Sequence, residues 1–403
     1  MNKSTFFTGQ PIISQIISLI PRSKVFQLAK QTRSDHYYKK FKTYHHLVSM
    51  LYTVMSGCTS IREVVTGLMA CSGKLNHLGV DYTPRKSTLS DANCKRGHQV
   101  FDDIYQYLYK RYASSLPDSR PEKWYKRLYI IDSTTISLFQ EILKNAGRSP
   151  MNGKRKGGVK AHTLIKADED VPQVVRLTPG ASHDIPFLEY INLPTGSIVT
   201  FDMGYYSFNV WKRWSENKVT FVTRLRLGTV ITTNRDRTVN ESQQRKGVIS
   251  DREVTLGDPD NDKVAKVRAR LIGYFDHDKQ REFTFVTNNF SMAPFTIASI
   301  YQKRWQIEIL YKRIKQNYPL KYFLGDNENA IKVQIWCVLI VDLLMKVIHK
   351  QIKRKWAFSN LTSMIRLHLL SYIDLKRFLN DPDAIIKDWD SQQYPRSPSL
   401  FQT

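Results

Sequence analysis

Two short runs of apolar, β-branched residues, each closed by an aspartate, limit the folds open to this chain more than anything else in it. The first is RLYIIDSTT, Arg127 to Thr135, and the second is SIVTFD, Ser197 to Asp202. A run apolar at successive positions cannot turn one side to water, so each predicts a strand covered on both faces, as in the centre of an α/β sheet. Further strand-like segments at Val159–Lys166 and Gln173–Thr178, then a helical stretch at His183–Tyr190, complete the order β-β-β-α-β. If the two apolar strands are neighbours, Asp132 and Asp202 converge. Like charges so placed repel unless a cation lies between them, which points to a divalent metal. The simpler reading of an isolated D-S-T is an aspartate that starts a turn by bonding to its own backbone.

A third acid stands in YQKRWQIEILYKRIK, Tyr301 to Lys315, where Glu308 is surrounded by Lys303, Arg304, Lys312, Arg313 and Lys315. On one helix, Tyr301, Arg304, Glu308 and Lys315 fall at offsets of zero, three, seven and fourteen, within an arc of roughly 60°. Ile300, Ile307, Leu310, Tyr311 and Ile314 form a neighbouring apolar stripe. Such a helix can bury one side and present the other to a cleft. The alternative is a solvated face laced by i,i+4 ion pairs, Arg304 with Glu308 and Glu308 with Lys312.

Charge narrows the partner. The chain carries 61 Lys and Arg against 36 Asp and Glu, a net charge of +25, which favours a polyanion, and nucleic acid first. Residues 1–120 alone hold 17 Lys or Arg against 7 acids, with Lys39, Lys40 and Lys42 beside Tyr37, Tyr38 and Phe41. Between Lys144 and Lys160 lies a glycine-rich loop with six basic residues, among them Lys154, Arg155, Lys156 and Lys160, suited to a phosphate backbone. Cys58, Cys71, Cys94 and Cys337 lack paired spacing, and the histidines complete no zinc pattern, so a reducing interior is expected. The N-terminal PIISQIISLIP has no cleavage site and reads as an amphipathic helix. The run Ile335–Val347 spans 13 residues and includes Asp342, short of the ~20 a bilayer needs. It predicts a core helix and no membrane partner.

The organisation follows from these signals. Residues 1–120 form a helical DNA-binding domain, with helices at Pro11–Leu19, Tyr44–Met55, Ser60–Ala70 and Asp91–Tyr112. A helix-turn-helix around Ser60–Ala70 and Ser87–Arg96 would set Arg85, Lys86, Lys95 and Arg96 on phosphates. A proline-bearing linker at Ser114–Lys123 leads into a core over 121–223. A β-rich insertion fills 224–282, the core resumes over 283–350, and a helical region and tail occupy 351–403.

Taken together these residues resemble a known family, the bacterial insertion-sequence DDE transposases, in the subgroup named for insertion sequence four. That subgroup carries a Tyr, Arg, Glu, Lys pattern matched by Tyr301, Arg304, Glu308 and Lys315. IDSTT and FDMGYYS resemble its two aspartate blocks, and GGVKAH and ASHD, with Lys160, His162, His183 and Asp184, resemble the blocks between. The resemblance covers about residues 125–350. It implies an α/β fold with an RNase H-like, retroviral integrase-like catalytic core, a β-rich insertion and an N-terminal helical domain.

It also implies an activity: two Mg²⁺ ions, replaceable by Mn²⁺, held by Asp132, Asp202 and Glu308, cleaving the element's ends and joining the 3′-OH to target DNA. Tyr301, Arg304 and Lys315 would grip phosphates. The implied partners are double-stranded DNA, at the transposon ends and the target, and a second copy of the chain in a synaptic homodimer. The implied location is the cytoplasm, with the nucleoid when bound to DNA. His162, His183 and Asp184 stay outside the metal set, since a histidine satisfied in a core or turn is the commoner case. Two rivals remain at this point, an RNase H-like nuclease that does not join strands and a non-catalytic DNA-binding protein.

Overall fold

The computed structural model describes residues 9–118, 122–137, 158–261 and 265–384. The chain divides into two compact units, Met1–Ser115 with Gln316–Thr403, and Leu116–Lys315.

The first unit is helical. It contains α1 (Ile12–Ile17), α2 (Arg22–Gln31), α3 (Thr43–Ser56), α4 (Ile61–Ala70), α5 (Lys86–Lys95) and α6 (Gln99–Tyr112). Ser60 caps α4 by accepting from the Glu63 N–H at 3.2 Å, which is why the helix starts there. The single helix expected over Asp91–Tyr112 is two, broken at Arg96. Arg96 leaves the helical conformation with ψ of 115°. Its guanidinium turns inward, Nε donating to Ser34 O at 3.1 Å and Nη2 to Phe41 O at 2.6 Å, with the Tyr38 ring 3.9 Å away. The guanidinium thus satisfies loop carbonyls and is buried, so the expectation that Arg96 meets phosphates on a recognition helix fails. Arg85, Lys86 and Lys95 are exposed.

The second unit is built on one sheet. Its strands are β1 (Leu128–Ser137), β2 (Gly158–Lys166), β3 (Pro172–Pro179), β4 (Ile198–Phe201), β5 (Thr220–Arg224), β6 (Ile231–Asp236), β7 (Val248–Leu256), β8 (Val267–Asp276) and β9 (Arg281–Thr287). They lie in the order β3-β2-β1-β4-β5-β9-β8-β7-β6. β1 pairs antiparallel with β2 and parallel with β4, and β4 is parallel to β5. This is the RNase H-like arrangement, extended on one side by the insertion strands β6 to β8, which reach β5 through β9, antiparallel to both β8 and β5.

Ile131, Phe201 and Phe221 share a core with Trp211 and Trp214 of α7 (Phe208–Glu216), and Trp211 stacks on Phe221 at 4.8 Å. The alternate residues Ile130, Ile198 and Val222 are buried as well. The successive apolar residues of these strands therefore have cover on both faces, as the pattern requires. After α8 (Glu241–Arg245) in the insertion come α9 (Pro294–Gln302), which packs against β4, β5 and β9, and α10 (Trp305–Asn317).

Three helices complete the helical unit, α11 (Glu328–Gln351), α12 (Phe358–Leu367) and α13 (Leu375–Asn380). The apolar run at Ile335–Val347 lies inside α11, which packs against α3, α5 and α6 and is buried over most of its length. That packing explains its apolar girth. Among the described residues no helix is long and apolar enough to cross a membrane.

Candidate active site

Strand register sets the first two acids. In the parallel β1–β4 pair, Ile131 lies opposite Phe201. Asp132 and Asp202 are the next residue on each chain, so they leave adjacent strands at the same level. Asp132 is not at a strand end, as the sequence suggested. β1 continues to Ser137 because β2 pairs with it throughout, Asp132 opposite Thr163, whereas β4 stops at Phe201. Asp202 caps a short 3₁₀ turn, its Oδ1 accepting from the Gly204 N–H at 2.7 Å.

The third acid arrives differently from expectation. Tyr301, Arg304, Glu308 and Lys315 do not share one helix. α9 ends at Gln302 and α10 begins at Trp305. Between them the backbone tightens to i→i−3 bonds, with Arg304 N donating to Tyr301 O at 3.0 Å and Gln306 N to Lys303 O at 2.9 Å. A tightened turn of this kind changes the phase of the helix, which the 3.6-residue period could not foretell. The four side chains are nevertheless gathered near the acids. Arg304 donates from Nη1 to Asp132 Oδ2 at 3.3 Å and from Nη2 to Glu308 Oε1 at 2.5 Å. Lys315 Nζ donates to Thr134 Oγ1 at 2.7 Å and Thr135 O at 3.1 Å. The Tyr301 ring lies 5.1 Å from Phe285 and 6.0 Å from the Arg304 guanidinium carbon.

Two further bonds seat α10. The Tyr311 hydroxyl donates to Asp132 O at 2.9 Å, and Arg313 donates to Asp170 Oδ2 at 2.6 Å in the β2–β3 turn. Ile307 and Leu310 beneath are fully buried.

Electrostatics follow from this packing. Burial raises Asp132 to about 7; the charges of Asp202 and Glu308 add to the rise, and the Ser133 N–H and Arg304 only partly offset it. Burial would lower Arg304, but its bond to Glu308 and the neighbouring Tyr301, Asp132 and Glu308 outweigh that and raise it. Among the described residues no three His, Cys, Asp or Glu side chains are gathered tightly enough to enclose an ion. The donor chemistry of the three acids still fits a hard divalent cation, because they offer only carboxylate oxygen and their charges act on one another. In this state a guanidinium spans two of them.

Known proteins bear on this arrangement. The family described as "Transposase DDE domain" matches residues 123–344. The chain belongs to the DDE transposase family of bacterial insertion sequences. A domain of unknown function, DUF4372, matches residues 8–81. A putative transposase, y4zB, of Sinorhizobium fredii is 30% identical over 66% of this chain and 72% of its own. A probable transposase for insertion sequence element IS5377 of Geobacillus stearothermophilus is 26% identical over 66% of this chain and 65% of its own. Among solved structures, a piggyBac transposase synaptic complex with hairpin DNA matches at a TM-score of 0.47 and 10% identity, over 98% of this chain and 88% of that one.

Of the other residues expected in the transposase's site, Lys154, Arg155 and Lys156 lie outside the described residues. Lys160 is on β2, where it donates to Ser182 O at 2.9 Å and to Asp184. His162 is buried and His183 exposed.

Sequence reasoning missed a hollow of about 540 Å³ beside Arg304, lined by Arg224, Arg281, Phe283, Phe285, Tyr301 and Trp305 among others. Trp305 is 60% exposed there. Alternating aromatics in FTF and the tryptophan directly after Arg304 are the signals that would have found it.

Proposed function

We propose that this transposase cleaves the ends of its insertion sequence and joins the freed 3′-OH ends to target DNA. Asp132, Asp202 and Glu308 are its catalytic acids. The observation that carries the reading is the parallel register of β1 and β4, which brings two aspartates 70 residues apart in sequence to the same level. Those three carboxylates would hold Mg²⁺, two ions by the family's pattern and exchangeable for Mn²⁺. When bound, such ions supply the positive charge that activates an attacking oxygen and steadies the leaving one.

The chain's own residues supply position. Arg304, now on two acids, carries a planar fork suited to a phosphodiester and would turn to the DNA backbone beside the scissile bond. Tyr301 and Lys315 flank it. The aromatic hollow with Trp305 suits a base drawn out of the stack, since rings bind any base face. Lys160 and the basic residues Lys154, Arg155 and Lys156 would track the backbone further along, and residues 1–120 would contact the element's end. The protein acts as a homodimer on paired ends, in the cytoplasm at the nucleoid.

The test uses DNA from the element's own flanks with Mg²⁺. Asp132→Ala, Asp202→Ala and Glu308→Ala should each abolish nicking while end binding survives, and a triple variant that still cuts ends the proposal. Products that are cut but never joined to a second duplex would reduce the protein to a nuclease.

A further inference from the structure

Beside the three acids lies a second cluster of ionisable groups, of which the reading above uses only Lys160. Its centre is Asp184, just before the short 3₁₀ helix Ile185–Tyr190. Asp184 Oδ1 accepts from Ser133 Oγ at 2.8 Å and from Lys160 Nζ at 3.2 Å, and lies 3.3 Å from His162 Nδ1. Lys160 also reaches Oδ2, at 3.3 Å. These partners come from β1 and β2, so one carboxylate ties two strands to the segment that follows β3. The cluster is itself held in place. His162 is 1% exposed, its Nε2 is 3.0 Å from Thr178 Oγ1, and its ring stacks on Phe187 at 5.4 Å.

Both strand aspartates adjoin this carboxylate. Ser133 is the residue after Asp132. Gly204 stands between Asp184 and Asp202: a Cβ at 204 would lie 3.0 Å from Asp202 Oδ1 and 3.4 Å from Asp184 Oδ2. Asp184 therefore bonds the neighbour of one acid and flanks the same glycine as the other, while belonging to neither strand. Burial would raise its pKa, but the bonds from His162 and Ser133 and the charge of Lys160 hold it at about 2, so it stays an anion. A half-buried carboxylate with a lysine and a histidine returns little net stability for its desolvation. What such a network supplies is fixed geometry for the groups next to it.

We propose that Asp184 is a positioning residue of the catalytic centre: by tying Ser133, Lys160 and His162 together it sets the spacing of Asp132 and Asp202, and with it their hold on a divalent cation. The inference rests on reading those acids as ligands. It predicts that removing Asp184 weakens ion binding without removing a ligand.

The experiment uses the full chain as wild type, Asp184→Ala, Asp184→Asn, the pair Lys160→Met with Asp184→Asn, and Asp132→Ala. Mn²⁺ affinity is read from the free-ion electron paramagnetic resonance signal, beside melting temperature, duplex binding and the Mg²⁺ dependence of end cleavage. Both Asp184 variants should bind Mn²⁺ about 10- to 100-fold more weakly and need correspondingly more Mg²⁺ for half-maximal cleavage, with duplex binding unchanged. The double variant should recover part of the loss seen in Asp184→Asn, because Lys160 is no longer left beside an absent counter-charge. Wild-type Mn²⁺ affinity in both variants overturns the inference, and so does a loss that tracks a fall in melting temperature and duplex binding. If Asp184→Ala does not fold, Asp184→Asn, which keeps the shape and an acceptor oxygen, decides alone. Mn²⁺ affinity that depends on Asp132 but not on Asp184 sinks this inference only. Affinity indifferent to Asp132→Ala sinks the ligand reading and this inference with it.

Discussion

His46 sits fully buried in the helical unit with its Nε2 2.6 Å from Asn93 Oδ1. Burial, and then the charge of Arg96, lowers its pKa to about 3. The unfolded chain takes up this proton near pH 6.5 and the folded one does not, so stability falls as pH drops from about 6.5 towards 3 and levels off below. The loss is at most about 5 kcal/mol. His46→Gln should flatten that part of the curve, measured as urea midpoints between pH 4 and pH 7. Arg96 shows what a residue reading leaves out. Lys95 and Gly97 on either side of it are exposed, and nothing local says that its guanidinium will cap two loop carbonyls 55 and 62 positions away. Asp132 was legible because its strand is apolar. The Arg304 bridge to it, across 172 positions, was not.

At the scale of elements, the strands announced themselves through their β-branched runs, and the helices near the site through their apolar stripes. The break between α9 and α10 stayed hidden because apolar residues continue through it, Ile300 and Ile307 both being fully buried. A helical period cannot register a switch to i→i−3 bonding that keeps the core face covered. α10 is tied to β1 by the Tyr311 hydroxyl, so Tyr311→Phe should cost about 1 kcal/mol in denaturant unfolding and slow end cleavage several-fold. The insertion has its own pressure point. Gly247 has φ of +90°, and a Cβ there would stand 2.3 Å from Phe275 O. Gly247→Ala should destabilise the protein by about 3 kcal/mol, read as a lower urea midpoint.

For the molecule as a whole, the insertion is not an appendage. β9 joins it to β5, so the sheet that carries the acids runs without interruption into the added strands. That continuity could not be read from sequence, since an inserted β-rich stretch folds as readily into a sheet of its own. Charge was legible at this scale and carries its own test. With a net charge of +25, duplex affinity should fall by at least about 100-fold between 50 and 200 mM salt, followed by fluorescence anisotropy, as several neutralised phosphates recapture counterions. The β1–β4 register has a consequence for how copies of such an element diverge. The two aspartates are matched by pairing between strands and not by the length of chain that separates them. Residues gained or lost in the turn joining β2 to β3 leave the match intact. Loss of one residue between Leu128 and Ile131 would turn every later side chain of β1 to the opposite face. The same holds for β4 between Ile198 and Phe201, so the match of the two aspartates depends on two four-residue strand segments and not on the number of residues between them.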